Sequence, residues 1–172
     1  YEIVFRNNNP PGPWLNLCTD DKGRPMAAVS VENYWNMKTG ARIDAPGTIT
    51  FACVNGAIGK CVRWGYRPWA MGKTCSGPAC TSISLKEHHQ ACTRMVRADY
   101  CGKGQPHTVD GTVIDVFDAL TPPVQSRVTQ WPIEAMWRPD GATCVSATRL
   151  KALTADGTFS DCKGNERSRD DV

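Results

Sequence analysis

The segment HHQACTRMVRADYCG, residues 88–102, sets two adjacent histidines, two cysteines, an aspartate and a tyrosine within fifteen residues. Three kinds of chemistry use such a set. A metal site needs imidazole and thiolate ligands on one face. On a helix His88 and Cys92, four residues apart, share a face as zinc ligands do. Only His89 and His107 remain as further histidines, and His89 points about 100° away from His88 around a helix. No metal ligand set is therefore assigned.

A nucleophilic centre needs a thiolate, a base within hydrogen-bond reach and a group that orients the base. His88 and Asp99 lie eleven residues apart, roughly 16 Å along a helix axis, and cannot touch within it. Cys101, His107 and Asp110 follow in CGKGQPHTVDG without a catalytic signature. Gly-x-Ser-x-Gly, His-Glu-x-x-His and a phosphate-binding glycine loop are all absent from the chain. No catalytic residue is assigned and no cofactor is implied.

The third use is a staple. Cys92 sits on the apolar stripe of the predicted helix and Cys101 at its end. Within one helix they stand roughly 13 Å apart, beyond the roughly 4.4–6.8 Å that a disulfide spans between Cα atoms. Each must pair elsewhere, and Cys53 and Cys61, which bracket VNGAIGK, are the expected partners. That would clamp the helix to the strand TITFAC.

These residues belong to a chain of 172 residues with nine cysteines, a length that fits one domain. The nine are Cys18, Cys53, Cys61, Cys75, Cys80, Cys92, Cys101, Cys144 and Cys162, and no Cys-x-x-Cys pair occurs among them. Dispersed cysteines without metal spacing point to disulfides formed in an oxidising compartment. Cys75 and Cys80 are expected to close a local bridge across SGP, and Cys144 to pair with Cys162. Cys18 is left as the unpaired or intermolecular cysteine. No apolar run approaches the roughly 20 residues of a membrane helix. The chain opens at Tyr1 on strand-like residues, so a processed or trimmed chain is expected.

Net charge is +3, too small for a general nucleic-acid binder. The charge is uneven, however. No acidic residue lies between Asp44 and Glu87, while Lys60, Arg63, Arg67, Lys73 and Lys86 do. Trp64, Tyr66 and Trp69 are interleaved with them in KCVRWGYRPW. Arg63, Trp64, Arg67 and Trp69 are the candidate contact for an anionic or glycan-bearing surface partner. The competing structural reading is a partly buried turn with arginine stems laid over tryptophan rings.

The elements that must position these groups are short. YEIVFR alternates like a strand, NNNPPGP breaks it and WLNLC returns, forming a hairpin. Insertion of residues 1–6 into a second copy is the other use of that strand, giving a possible homo-oligomer. MAAVSVENYW and TITFAC read as strands, the latter buried. NGAIGKC suggests a close backbone approach or one helical turn. Residues 73–78 read as loop. Ser84 with Glu87 forms a capping box for one main helix over about 84–101, stopped by Gly102 and Gly104. HTVDGTVIDVFDAL and PIEAMWRPDGATCVSATRL read as hairpins turning at Asp-Gly. The class is α+β: short antiparallel strands and hairpins around one helix, stabilised by disulfides. A single domain spans 1–162, followed by a polar tail over 163–172.

TITFACVNGAIGKCVRWGYRPW, HHQACTRMVRADYCG, HTVDGTVIDVFDAL and EAMWRPDGATCV resemble, in that order, the ADYC domain, a family named for the tetrapeptide at Ala98–Cys101. The resemblance covers roughly residues 1–150; CSGPAC and the tail look particular to this chain. It implies export, since the family occurs mainly in secreted proteins and lipoproteins of myxobacteria and related bacteria. It implies no activity. The expectation is a secreted or cell-surface domain with a structural or binding role. A secreted Cys/His-dependent hydrolase or transferase is the alternative.

Overall fold

A computed structural model describes residues 1–126, 133–145 and 149, with the backbone of 159–160 and 166–167. Among the described residues fourteen elements follow one another, and every ladder among them is two-stranded and antiparallel. β1 (Val4–Phe5) pairs with β2 (Leu15–Asn16), so the opening strand is engaged within its own chain. β3 (Ala28–Glu32) leads into β4 (Tyr34–Trp35). β5 (Arg42–Ile43) pairs with β4, and β6 (Ile49–Cys53) pairs with β3 in a register running from Ala28 opposite Cys53 to Glu32 opposite Ile49. After α1 (Ala57–Arg63) come β7 (Met71–Ser76) and β8 (Ala79–Ser84), then α2 (Lys86–Arg97). β9 (Ala135–Arg138) and β10 (Gly141–Val145) form a hairpin whose two turn residues are Pro139-Asp140, one residue before the expected Asp-Gly, because Gly141 already pairs with Arg138. β11 (Phe159–Ser160) pairs with β12 (Glu166–Arg167). This is a disulfide-stabilised α+β fold.

The core lies between the two helices. Cys61 of α1 is bonded to Cys92 of α2, and Tyr66, Met95 and Val96 are buried around the bridge. Trp64, Ile114, Val116 and Trp137 pack against this cluster from outside. Gly59 permits the arrangement: a Cβ there would lie 2.3 Å from the carbonyl oxygen of Cys53. The small residues of NGAIGKC thus serve both expected purposes, a helical turn and a close backbone approach.

Several expectations are corrected. The main helix spans Lys86–Arg97, not 84–101. Leu85 is its N-cap without a side-chain bond; the Ser84 hydroxyl accepts the Lys86 amide at 3.3 Å instead of closing a box with Glu87. The helix stops at Ala98, whose φ of 51° is left-handed, ahead of both glycines. Residues 73–78 are a hairpin, not a loop, because Gly77 (φ 59°) and Pro78 turn the chain in two residues and set Cys75 opposite Cys80. The segment HTVDGTVIDVFDAL forms no ladder. Its amides at His107 and Thr108 instead bond to the Arg97 carbonyl, and the Thr108 hydroxyl to that of Val96, so it satisfies carbonyls that the helix end leaves open. β6 is not buried: Ile49 and Phe51 are 58% and 51% exposed.

The disulfides also differ from expectation. Cys18, left as the odd cysteine, is bonded to Cys53. The reason is local: the Met26 amide bonds to the Cys18 carbonyl and the Val54 amide to that of Ala27, which folds residue 18 back beside the end of β6. β6 is therefore clamped to the chain ahead of β3, and α2 is clamped to α1. Cys75 and Cys80 are bonded to each other, and Cys101 is disulfide-bonded too. The expected Cys144–Cys162 pair lies outside the described side chains. Among the described residues no helix is long and apolar enough to cross a membrane.

Candidate functional site

The histidines of α2 sit where the fold closes over them. His89 is 0% exposed; its Nε2 lies 3.1 Å from the Ile58 carbonyl and its ring meets Trp35 edge to face. Burial pushes its pKa down to about 4, against the Ile58 hydrogen bond and with help from Arg42. His88 stacks on Tyr66 with ring centres 6.4 Å apart. The Cys92 sulfur, one helical turn on, is bonded to Cys61 and supplies no thiolate. Among the described residues no three His, Cys, Asp or Glu side chains gather as a metal site. His107 lies against Tyr100 at 6.1 Å, and Cys101 beside it is disulfide-bonded.

The basic aromatic stretch divides. Arg63 closes α1 and is exposed. Trp64 is the helix C-cap, half-buried against the core, and its carbonyl accepts the Gln125 side-chain amide at 2.6 Å. Gly65, at φ 103°, turns the chain so that Tyr66 points inward, where its hydroxyl donates to Asp118 at 2.8 Å. Arg67 then faces solvent, Pro68 is buried and the Trp69 ring is 56% exposed. Arg63, Arg67 and Trp69 stay outside; Trp64 belongs to the core.

Trp69 borders a pocket of about 310 Å³. Ser30 and Glu32 of β3 and Ile49 of β6 form its floor, and Pro68, Trp69 and Lys86 its walls. Ser30, Glu32 and Ile49 share one face of the sheet, because Glu32 stands opposite Ile49 and positions two apart lie on the same side. Asn33 completes the lining at a φ of 83°. Three hydrogen bonds hold that left-handed backbone: Asn33 N–H to the Thr48 carbonyl, the Ala45 N–H to Asn33 Oδ1, and the Thr50 hydroxyl to the Asn33 carbonyl. An aromatic ring thus shares one pocket lining with a carboxylate, an ammonium and a hydroxyl. That combination can hold a flat apolar surface bearing hydrogen-bonding groups along its rim.

Ala98–Cys101 does its work elsewhere. Ala98 takes the left-handed conformation that ends α2. Asp99, 1% exposed, accepts Arg94 Nη1 at 2.5 Å and the Gly104 amide at 2.9 Å. Tyr100 donates its hydroxyl to Glu134 at 2.6 Å and accepts the Arg149 amide at 2.7 Å, with Trp137 stacked 5.1 Å away. Burial and the Glu134 hydrogen bond hold that hydroxyl above the usual phenol range. Cys101 adds a covalent tie. The family model of the ADYC domain matches residues 1–151. This chain belongs to the ADYC domain family. No curated protein and no solved structure is detectably similar to it.

In this ADYC domain the eponymous tetrapeptide is an anchor. It joins α2 to the β9–β10 hairpin, and Asp99 reaches the loop at 36–40 only through Arg94; the Trp69 pocket is built by other segments. Of the lining, the sequence singled out Trp69 from its alternation with basic and aromatic residues; Arg63, Trp64 and Arg67 are not part of it. Sequence reasoning missed Ser30, Glu32, Asn33 and Ile49, which lie far off in the chain. The one local signal was Asn33, a residue tolerant of left-handed backbone, set between two β-prone runs.

Proposed function

We propose that this ADYC domain is an exported, disulfide-held binding domain, and that the Trp69 pocket with the neighbouring Arg67 is its contact surface for a glycan-bearing, anionic partner. The observation that carries the reading is the exposed Trp69 ring standing beside Glu32, Lys86 and Ser30 at one pocket. A sugar ring offers apolar C–H faces to an aromatic plane and hydroxyls to flanking polar groups, which is the chemistry this lining presents. Arg67, exposed and two residues before Trp69, adds positive charge and favours acidic sugars or phosphate-bearing polymers. Bridges Cys18–Cys53, Cys61–Cys92 and Cys75–Cys80 support folding in an oxidising compartment.

The test is binding of the folded, oxidised chain to arrays of purified bacterial envelope glycans, with uronic-acid or phosphate-bearing polymers beside neutral ones. Preferential capture of acidic glycans, weakened by salt and by Arg67→Ala, is expected. Absence of binding to every glycan on the array, or binding that Arg67→Ala and salt leave unchanged, would contradict it.

A further inference from the structure

We propose that two copies of this chain associate through β6, strand against strand about a twofold axis. This goes beyond the glycan reading and does not require it, although Ile49 also lines the Trp69 pocket. Hydrogen bonds fix which groups of β6 face away from β3. The Val54 amide donates to the Ala27 carbonyl at 3.0 Å and the Asn33 amide to that of Thr48 at 2.8 Å. With a ladder period of two, Thr50 and Ala52 also bond toward β3, in register with Val31 and Val29. Ile49 and Phe51 then direct their N–H and C=O groups to the opposite edge. Among the described residues β3 is the only strand paired with β6, and no other backbone group bonds to Ile49 or Phe51.

The other side of this sheet is different. There Ala28 donates to the Tyr1 carbonyl at 2.7 Å and accepts from the Tyr1 nitrogen at 2.9 Å, so that edge is already started by the chain itself. Sheet edges are ordinarily guarded by Lys, Pro, a bulge or inward charge. ITFAC has none of these residues, and its pairing with β3 runs without a register shift. The residues whose backbone is open are also the exposed apolar ones, and the Tyr1 ring, itself exposed, meets Phe51 edge to face at 5.4 Å.

The strand is complementary to itself. With Thr50 on the axis of an antiparallel pair, Ile49 of one copy stands opposite Phe51 of the other, and the reverse. Both are outward-bonding positions, so each such pair exchanges two backbone hydrogen bonds. Their side chains lie on one face and make aliphatic–aromatic pairs across the junction. No charged residue lies on Ile49–Cys53 to repel a second copy. The partner fitted by this edge is therefore another β6, giving a four-stranded sheet in the order β3, β6, β6, β3. The axis is perpendicular to the sheet, so both Trp69 pockets open to the same side. Two sites held on one face would strengthen attachment to a repeating polymer without new contacts.

The experiment is sedimentation velocity of the oxidised full chain over a wide concentration range, with amide hydrogen exchange at both ends of that range. A monomer–dimer equilibrium is expected, weakened roughly tenfold or more by Ile49→Lys or Phe51→Lys. Amides of Ile49 and Phe51 should exchange slowly in the dimer and fast on dilution. Those of Thr50 and Ala52 should stay slow in both states and in both variants, which shows the variants to be folded. A monomer at every concentration overturns the proposal. So does a dimer in which the Ile49 and Phe51 amides still exchange fast, or one that both lysine variants leave intact.

Discussion

Arg94 and Asp99 form an ion pair with Nη1 and Oδ2 2.5 Å apart, and their side chains are only 4% and 1% exposed. Neither charge meets water, so each depends on the other and on nearby backbone. Arg94 also donates to the carbonyls of Thr39 and Pro139, and Asp99 accepts the Gly104 amide. The pair thus ties three loops to the end of α2. Removing one partner strands the other charge, which costs about 3–5 kcal/mol at a buried site. Asp99→Asn and Arg94→Met are each expected to lose about that much in urea unfolding. A loss below about 1 kcal/mol, the size of an exposed pair, would show the site to be wet.

His89 sets a pH dependence. Its folded pKa of about 4 lies below the ordinary value of 6.5, so the unfolded chain binds the proton more readily. Stability from this group is complete above pH 6.5 and is lost as pH falls toward 4. Full protonation would cost on the order of 3 kcal/mol. Unfolding free energies measured between pH 7 and 5 should fall in the wild type and stay flatter in His89→Gln. Equal slopes in the two proteins would mean that the imidazole is solvated.

The three described bridges are not equivalent. Cys61–Cys92 closes 31 residues and is buried, whereas Cys75–Cys80 closes five and Cys80 is exposed. In the chain-entropy model these contribute about 4 and about 2 kcal/mol. Mild reductant on the folded protein should open Cys75–Cys80 first, as read by alkylation and peptide mass. The Cys61→Ala/Cys92→Ala double variant should be the less stable of the two paired deletions. Prior opening of Cys61–Cys92 would reverse this ranking of burial and loop length.

Glycines near the ADYC tetrapeptide separate steric need from backbone preference. A Cβ on Gly102 would sit 1.9 Å from the Asp140 carbonyl oxygen, and one on Gly104 would sit 1.9 Å from that of Lys38. Both residues have positive φ, as does Gly111, where nothing lies within 4 Å of the added atom. Gly111→Ala is expected to cost about 1–2 kcal/mol in backbone strain alone. Gly102→Ala and Gly104→Ala must also displace a loop or hairpin, and should cost clearly more in thermal unfolding. Equal costs at all three positions would show that these approaches are not tight.

Much of this architecture was legible because it rests on local patterns. The β9–β10 hairpin signalled by Pro-Asp-Gly, the broken opening hairpin and the apolar stripe of α2 are each written in a few adjacent residues. Misreadings arose where a distant partner overrode the local pattern. HTVDGTVIDVFDAL has the composition of a hairpin, but its amides are drawn to the end of α2. Cys53 and Cys61 look like equal partners for α2, yet the turn at Cys18–Met26 takes Cys53. TITFAC looks buried by composition, yet the face of the β3–β6 sheet that carries Ile49 and Phe51 is open to solvent. Of the candidate surface, Arg67 and Trp69 were readable as a cluster. The sheet floor beneath them was not, because β3 and β6 reach it only through tertiary pairing.

The most direct measurement of the binding reading compares Trp69→Ala with Trp14→Ala on the acidic glycan that the wild type retains best. The two rings are similarly exposed, at 56% and 60%, but Trp14 lies on the opening hairpin under Arg6 and outside the pocket. Losing one stacked ring at a binding pocket should weaken retention roughly tenfold or more. Trp69→Ala is expected to do so with its unfolding midpoint unchanged, while Trp14→Ala binds as the wild type does. Full retention by Trp69→Ala, or an equal loss in both variants, would contradict the assignment of this pocket as the contact surface.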